Sequence, residues 1–155
     1  MQELRLWYWL VKGSSWLLLG LLVVLAIAGG GALVSSLPSI PAIVKRFSEA
    51  IAAAEGFNVA GSIPQRNNNP GDIMSGGSYV VYNSITEGWQ ALYDQVHLMF
   101  FGGSKYYNPS MTISQVAYLY ADGANDPSGA QNWAQNVANY LGVTPDATLN
   151  SLMGA

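Results

Sequence analysis

No charged residue occurs between Lys12 and Lys45, and the middle of this stretch is strongly apolar. Residues 14–37 contain 24 positions without a formal charge, and a helix needs about 20 apolar residues to cross the hydrocarbon core of a bilayer. Aromatic side chains, which favour the headgroup level of a membrane, lie at its N-terminal edge: Trp7, Tyr8, Trp9 and Trp16. The sequence therefore predicts one transmembrane helix at 14–37, between a short flank at 1–13 and a linker at 38–41.

Two other interpretations of this stretch stay open. The tripeptide Ala26-Ile27-Ala28 resembles a signal-peptidase site, which would make the preceding residues a cleaved signal peptide. The region before that site is long and aromatic, however, and the apolar residues continue beyond it, which favours the membrane anchor. A buried core helix is disfavoured because the stretch is apolar on every side rather than along one stripe.

The rest of the chain is acidic and the whole chain lacks cysteine. Residues 45–155 contain four basic and eight acidic side chains, which gives a net charge near −4. Nucleic-acid binding requires clustered Lys and Arg, so this balance argues against a nucleic-acid partner. Without cysteine there is no thiolate nucleophile or Cys-ligated zinc, and the single histidine, His97, excludes a His-rich metal site. No cofactor and no metal are expected, since neither phosphate-loop glycines nor metal-ligand spacing occurs.

Spacing and composition predict a mostly helical α+β domain with one small hairpin over 42–155. Apolar residues recur at three- and four-residue intervals in 42–55, which predicts a first helix that stops before Gly56. A loop rich in Gly, Pro and Asn follows at 57–71, and the segments 72–74 and 78–82 predict the hairpin. Three later helices are expected to begin at capping boxes, which pair Ser84 with Glu87, Thr112 with Gln115, and Ser128 with Gln131. A last short helix is expected after Thr144-Pro145.

Glu55 is the strongest candidate for a catalytic residue. It lies four positions after Ile51 and so continues the apolar stripe of the first helix rather than its charged face. It also lies in the last turn, where the helix dipole disfavours an exposed negative charge by roughly 0.3–1 kcal/mol. Burial and the dipole both raise the pKa of such a carboxyl, and general acid catalysis requires a carboxyl that is protonated near neutral pH. The alternative is an ordinary solvated glutamate at a helix end.

A polar loop and several tyrosines are candidate ligand contacts. The segment 65–72 combines amides, Arg66 and Asp72 with turn residues, and amides offer donors and acceptors to sugar hydroxyl and N-acetyl groups. An ordinary Asn-rich turn would have the same composition. Asp72 and Glu87 are the candidates for a second carboxylate, although Glu87 also fits its capping box. Five tyrosines could stack on sugar rings, but most are expected in the core of so small a domain: Tyr79, Tyr82, Tyr118, Tyr120 and Tyr140.

The segment 50–72, AIAAAEGFNVAGSIPQRNNNPGD, resembles the lysozyme-like domain of phage-encoded lytic transglycosylases. Those virion proteins show an Ala-Glu-Gly helix end, a Gly-Ser-Ile/Leu-Pro segment and then Arg-x-Asn-Asn-Pro-Gly-Asn/Asp. The similarity continues in the same order through SITEGWQAL (84–92), TISQVAYLYA (112–121) and WAQNVANYLGV (133–143), and it covers most of 43–149. The chain departs from the family after Tyr120-Ala121, where the family often has a proline followed by a Glu-Asn pair.

The resemblance implies a lysozyme-like fold that cleaves the β-1,4 bond between N-acetylmuramic acid and N-acetylglucosamine in peptidoglycan. It implies that Glu55 protonates the glycosidic oxygen and then acts as base towards the muramic acid 6-hydroxyl, which closes a 1,6-anhydro ring. A muramidase-type hydrolase would normally need two carboxylates. Substrate contacts are expected from the polar loop and two tyrosines: Arg66, Asn68, Asn69, Asp72, Tyr82 and Tyr120.

Anchor and domain together predict a single-pass, membrane-anchored lytic transglycosylase that opens the cell wall locally during phage entry. It would lie in a virion membrane or a bacterial inner membrane, with the C-terminal domain on the peptidoglycan side. The expected partners are glycan strands, lipid along 14–37, and other proteins of the virion or the envelope apparatus. Two alternatives remain: a bacterial transglycosylase of a secretion or conjugation apparatus, and a structural or peptidoglycan-binding virion protein with an inactive lysozyme-like fold.

Overall fold

Six helices and one two-stranded hairpin make up residues 40–154, the part of the chain that the computed structural model describes. The elements follow in the order α1 (Ala42–Ala54), α2 (Ile63–Arg66), β1 (Met74–Ser75), β2 (Ser78–Tyr79), α3 (Ile85–Phe101), α4 (Ile113–Tyr120), α5 (Pro127–Leu141) and α6 (Leu149–Leu152). The prediction of a mainly helical α+β domain with a small antiparallel hairpin is confirmed.

The predicted membrane segment at 14–37, its flank at 1–13 and the first part of the linker lie outside the described residues. Among the helices within 40–154, none combines the length and the apolarity that crossing a bilayer requires. The longest of them, α3, has 17 residues and is amphipathic: Leu92 and Val96 are buried, whereas Asp94 is exposed.

The core lies between α1, α3 and α5, with α4 packed against α5. Helix α1 forms where its apolar spacing predicted a helix, and Val44, Phe47 and Ile51 on its inner face are buried. The ring of Phe47 meets the ring of Phe100 edge to face, with the centroids 5.2 Å apart. Helix α1 contacts both α3 and α5, so two other helices hold it in the domain, and its C-terminal end is partly buried. That end carries Glu55.

The predicted helix starts were right in two cases and wrong in one. Thr112 and Gln115 form a complete capping box at α4. Ser84 accepts the N–H of Glu87 at α3 (3.2 Å), although the Glu87 carboxylate reaches the N–H of Asn83 one residue earlier.

The box proposed for Ser128 and Gln131 is wrong, because α5 begins before it, at Pro127. Asp126 caps this helix by accepting the N–H of Gly129 (2.9 Å). Proline suits the first helical position because its fixed φ matches the helix and its missing N–H would be unpaired there. An aspartate before a proline was therefore the stronger start signal.

The hairpin is shorter than predicted. Met74 pairs with Tyr79 and Ser75 with Ser78, so each strand has two residues. Gly76 and Gly77 connect the strands with φ of 62° and 85°, the two positive values that a type I′ turn requires. An isolated hairpin of this size is not stable in water, so its position depends on the loop that precedes it.

Two short helices complete the connections. Helix α2 lies inside the segment 57–71, which had been predicted as loop throughout; Ser62 caps it by accepting the N–H of Gln65 (3.3 Å). The last helix, α6, begins after Thr148, some residues later than the predicted start beyond Pro145. Thr148 forms an antiparallel bridge with Thr112, which ties the end of the chain to the start of α4.

Candidate active site

Glu55 lies where the chain turns away from the axis of α1. The N–H of Gly56 bonds the carbonyl of Ala53 (3.1 Å), and the N–H of Phe57 bonds the carbonyl of Ala52 (2.9 Å). These are the two bonds of a Schellman motif, and Gly56 adopts the left-handed φ (71°) that the motif requires. The backbone on both sides of Glu55 is therefore fixed by hydrogen bonds.

The carboxyl of Glu55 is partly buried and holds its proton more tightly than a solvated glutamate does. Burial raises its pKa from 4.5 to about 7, because an ionised carboxylate loses solvation in the protein interior. A hydrogen bond from Trp133 opposes this rise, and the negative charge of Asp72 adds to it. Near neutral pH a large fraction of Glu55 is therefore protonated, in agreement with the direction expected from its place on the apolar stripe.

Two aromatic rings lie beside Glu55. The indole N–H of Trp133, on α5, donates a hydrogen bond to Oε1 of Glu55 (2.7 Å). The ring of Tyr120, on α4, stacks on Trp133 with the centroids 5.1 Å apart and the planes 29° from parallel. Trp133 is buried, whereas Tyr120 is partly exposed. Three helices thus contribute side chains to one cluster around a single carboxyl group.

The phenol of Tyr120 connects this cluster to the loop before β1. Its O–H donates to the carbonyl of Gly71 (2.6 Å). A Cβ atom on Gly71 would lie 2.9 Å from the phenol oxygen and 2.8 Å from Cδ1 of Leu92, so a larger residue would displace one of these two side chains. Burial raises the pKa of Tyr120 well above 10, and the charge of Glu55 adds to this rise. The phenol therefore stays a neutral donor at physiological pH.

Asp72 follows Gly71 and carries the second carboxyl group of the cluster. Its φ of 46° lies in the left-handed region, which Asp and Asn tolerate better than other non-glycine residues. Its Oδ1 is buried and finds no hydrogen-bond partner among residues 40–154. Burial raises the pKa of Asp72, and the charge of Asp72 raises the pKa of Glu55, so the two groups are electrostatically coupled.

The amides of the polar loop hold the hairpin. Asn69 is fully buried: its Oδ1 accepts the N–H of Ile73 (2.9 Å), and its Nδ2 donates to the carbonyls of Ile73 (2.9 Å) and Val80 (3.0 Å). Asn68 donates from Nδ2 to the carbonyl of Tyr82 (3.1 Å). Both side chains are predicted to contact a ligand, and in the structure they also bond the backbone of the protein. These hydrogen bonds hold the loop against the hairpin.

Arg66 and Tyr82 differ in their relation to the cluster. Arg66 ends α2, is exposed, and donates from Nη1 to the carbonyl of Gly61, which closes the turn before that helix. Tyr82 is partly buried, and its phenol is near enough to Tyr120 to contribute to the raised pKa there. Of the residues predicted from the sequence, the structure thus brings four together, Glu55, Asp72, Tyr82 and Tyr120, and engages three within the loop, Arg66, Asn68 and Asn69.

Two members of the cluster were not singled out from the sequence. Trp133 lies on the apolar stripe of α5, four residues before Val137, and its spacing indicates only a core residue. The signal that could have found it is its N–H, because a buried indole usually needs an acceptor. Tyr107 is also partly buried; burial raises its pKa to about 12, and its phenol influences Tyr120.

Other candidates lie elsewhere. The expectation that most of the tyrosines pack in the core is wrong for Tyr79, Tyr118 and Tyr140, whose side chains are 44%, 53% and 49% exposed. Glu87, the other candidate for a second carboxylate, is exposed, and its carboxylate accepts the N–H of Asn83, next to the N-cap residue Ser84. Within residues 40–154, no three His, Cys, Asp or Glu side chains lie close enough together to hold a metal ion.

The arrangement around Glu55 suits proton transfer. One carboxyl oxygen is fixed by Trp133, and a carboxyl with a pKa of about 7 can donate a proton and later accept one at neutral pH. Comparisons with protein-family models, with curated proteins and with solved structures found no match for this chain. The chemistry of the cluster therefore carries the functional argument.

Proposed function

We propose that the domain beginning at residue 42 is a peptidoglycan lytic transglycosylase of lysozyme-like fold, with Glu55 as its catalytic residue. The observation that carries this proposal is the partly buried Glu55 carboxyl, which accepts the N–H of Trp133 and has a pKa raised to about 7, on the segment whose sequence resembles the transglycosylase family. Cleaving a glycosidic bond at neutral pH requires an acid that is still protonated there, and an exposed glutamate is not.

The proposed reaction uses one carboxyl group twice. Glu55 donates its proton to the oxygen that joins N-acetylmuramic acid to N-acetylglucosamine, so that the bond from C1 of the muramic acid breaks. The resulting carboxylate then takes the proton of the muramic acid 6-hydroxyl while that oxygen bonds C1. The products are a 1,6-anhydro sugar and a free 4-hydroxyl, and Glu55 regains its proton. No water is consumed and no second reactant is needed.

The surroundings of Glu55 support a sugar ligand. Tyr120 lies near it and Tyr82 lies near Tyr120; both are partly exposed, and such rings present an apolar face together with a polar hydroxyl. The net charge near −4 of residues 45–155 argues against binding an anionic glycan through bulk charge. Stacking and hydrogen bonds therefore account better for recognition of peptidoglycan.

We also propose that residues 14–37 anchor the domain to a membrane, either of a phage virion or of a bacterial cell. A tether would confine cleavage to the cell wall near that membrane and would suit local opening of the wall during phage entry. A secretion or conjugation apparatus of a bacterium would need the same chemistry. The gene neighbourhood distinguishes a phage origin of the domain from a bacterial one.

A muramidase-type hydrolase is the second candidate, and one observation favours it. Asp72 lies close enough to Glu55 to raise its pKa, so the cluster holds two carboxyl groups, as glycoside hydrolases normally require. The transglycosylase remains the leading proposal because it rests on the additional resemblance of residues 50–72. The two reactions leave different products.

Digestion of purified sacculi tests these proposals. The full chain in mild detergent is incubated with sacculi, and the released muropeptides are analysed by mass. Anhydro-muropeptides that disappear in Glu55→Gln, but persist in the matched control Glu87→Gln, support the transglycosylase. Reducing-end products, each one water heavier, would identify a hydrolase. Retained binding to sacculi without release by the unmodified chain would leave a peptidoglycan-binding protein and contradict both enzyme proposals.

A further inference from the structure

The end of the domain where the chain enters carries an apolar groove. The groove has a volume of about 400 Å³ and is lined at the start of α1 by Pro41 and Ile43, at the end of α3 by Phe101, and at the end of α6 by Met153. Phe101 and Met153 are 51% and 41% exposed, and Ile40, directly before Pro41, is 40% exposed. Large apolar side chains that meet solvent at one place often mark a surface that binds a partner.

This groove and Glu55 lie at opposite ends of α1. Phe47, in the first half of α1, meets Phe100, near the end of α3, with the ring centroids 5.2 Å apart. Phe57, just after α1, meets Trp89, near the start of α3, with the centroids 5.9 Å apart. The two helices are therefore antiparallel, and the 13 residues of α1 rise by about 20 Å from the groove to Glu55.

Two basic side chains lie on the helix that begins at this groove. Lys45 and Arg46 are on the first two turns of α1, and both are exposed. Arg46 lines the groove; its Nη2 donates to the carbonyl of Leu141 (2.8 Å), and a guanidinium has further N–H donors to offer an anion. Glu49, the next acidic residue of α1, is partly buried one turn further from the groove. Ile40, Lys45 and the groove residues together form the entry face, which is apolar and cationic.

The chain itself brings a lipid surface close to the entry face. Only positions 38 and 39 separate Ile40 from 14–37, the proposed membrane anchor. Three peptide units span at most about 11 Å, and the headgroup layer on each side of the hydrocarbon core is about 5–8 Å thick. If 14–37 crosses a bilayer, the start of α1 therefore lies at or just above the headgroups. Apolar side chains flanked by lysine or arginine are typical of surfaces that lie on anionic membranes.

We infer that the entry face rests on the surface of a bilayer that contains anionic lipid. Phe101 and Met153 contact the boundary between headgroups and acyl chains, and Lys45 and Arg46 contact phosphate groups. The inference rests on the proposed anchor and not on the proposed enzyme activity. Because Glu55 lies at the other end of α1, this contact holds the candidate active site about 20 Å from the lipid, on the side that faces the cell wall.

The test measures contact between single positions of the full chain and lipid headgroups. The chain has no cysteine, so Met153→Cys carries one fluorescent label on the entry face. Val59→Cys is the matched control, because Val59 is 62% exposed and lies just beyond the Glu55 end of α1. Each labelled chain is reconstituted into vesicles of phosphatidylcholine and phosphatidylglycerol with a headgroup-spin-labelled lipid, which quenches the label on contact. We expect quenching about threefold or more stronger at position 153 than at position 59.

Lipid charge and two substitutions test the chemistry of the contact. Quenching at position 153 should fall about twofold or more in vesicles of phosphatidylcholine alone, and likewise in about 0.5 M salt, since both weaken attraction between Lys or Arg and phosphate. In the Met153→Cys chain, Phe101→Ala and Lys45→Gln should each lower quenching by a similar factor. Leu119→Ala is the matched control, since Leu119 is 46% exposed on α4, and it should leave quenching unchanged.

Three results overturn the inference. Equal quenching at positions 153 and 59 would mean that the domain has no fixed face towards the lipid. Quenching at 153 that is the same on neutral lipid, or that survives both Phe101→Ala and Lys45→Gln, would mean that the tether alone brings the domain close. Energy transfer between labels at position 153 of different molecules, undiminished on neutral lipid, would identify a second copy of the chain as the partner of the entry face.

Flotation of the same vesicles separates this inference from the proposed anchor. A chain that floats with the vesicles, without the expected difference between positions 153 and 59, retains the anchor and contradicts the contact of the entry face. A chain that does not float with vesicles of either composition contradicts both proposals. Sacculus digestion decides the enzyme activity independently of either result.

Discussion

The indole N–H of Trp133 donates a hydrogen bond across 2.7 Å to Oε1 of Glu55, a residue 78 positions earlier in the chain. This bond and the charge of Asp72 act on the Glu55 carboxyl in opposite directions. Burial, the largest effect, raises the pKa; the bond stabilises the ionised form and lowers the pKa, whereas the charge of Asp72 raises it. The resulting pKa, about 7, is the balance of these three effects.

Replacement of Trp133 by phenylalanine should raise the pKa of Glu55 further. Phenylalanine keeps an aromatic ring against Tyr120 but removes the N–H donor, and therefore the contribution that favours ionisation. The direction is opposite to that expected for Asp72→Asn. Carboxyl NMR of the two variants measures both shifts, and shifts of equal sign would contradict this assignment of causes.

The rate of sacculus digestion should fall as the pH rises through the pKa of Glu55. An acid with a pKa of about 7 is mostly protonated at pH 6, and its protonated fraction falls about tenfold per pH unit above pH 8. Initial rates of digestion from pH 5 to pH 9, measured on sacculi suspended to equal turbidity, give this profile. A rate that stays constant up to pH 9 would exclude Glu55 as the acid in the rate-limiting step.

Glu55→Gln should make the domain more stable at alkaline pH and leave its stability at acidic pH nearly unchanged. The folded protein binds the Glu55 proton up to about pH 7, whereas the unfolded chain releases it near 4.5. Stability therefore falls as the pH rises between these values, by on the order of 3 kcal/mol in total. The amide does not ionise, so the stability of the variant does not fall in this way as the pH rises.

Thermal unfolding of the full chain at pH 4 and at pH 8 checks this prediction. The unfolding temperature of Glu55→Gln should be close to that of the unmodified chain at pH 4 and higher than it at pH 8. Glu87→Gln, at an exposed cap position, serves as the control and should show no such pH-dependent gain. A glutamine variant that is less stable at pH 8 would contradict the prediction, because it would show that the folded state stabilises the ionised carboxylate.

Tyr120→Phe should destabilise the domain through the loop before β1. The variant leaves the buried carbonyl of Gly71 without its donor, which costs about 1–3 kcal/mol. Tyr118→Phe, on the same helix but 53% exposed, should change the stability little. Chemical denaturation of both variants measures the difference, and equal effects would argue that the bond to Gly71 contributes nothing.

Asn69→Ala should have a larger effect, because one buried side chain makes three hydrogen bonds to the backbone of Ile73 and Val80. Their loss should cost about 2–4 kcal/mol in unfolding free energy and release the hairpin. Asn58→Ala removes an amide from an exposed position and is the control. Hydrogen exchange at the hairpin amides would locate the effect, and unchanged protection there would contradict the role given to Asn69.

The helices and their caps were predictable because their signals are local. The spacing of apolar residues identified α1 and its buried face, and Thr112 with Gln115 marked the start of α4 correctly. The start of α5 was placed wrongly because two local signals competed, a serine box and an aspartate before a proline. Such errors shift a boundary by a residue or two and leave the fold class unchanged.

The place of Glu55 on an apolar stripe also predicted, from the sequence alone, the direction in which its pKa is shifted. The identity of its partners was not predictable, because Trp133 and Asp72 are brought to it by packing of α5 and by a left-handed turn. The same holds for Asn69. The composition of its loop suggested a ligand contact, whereas in the structure its side chain is buried and bonds the backbone of Ile73 and Val80. Periodicity determines which face of an element is buried; only the packing of distant elements decides which polar atoms then meet inside.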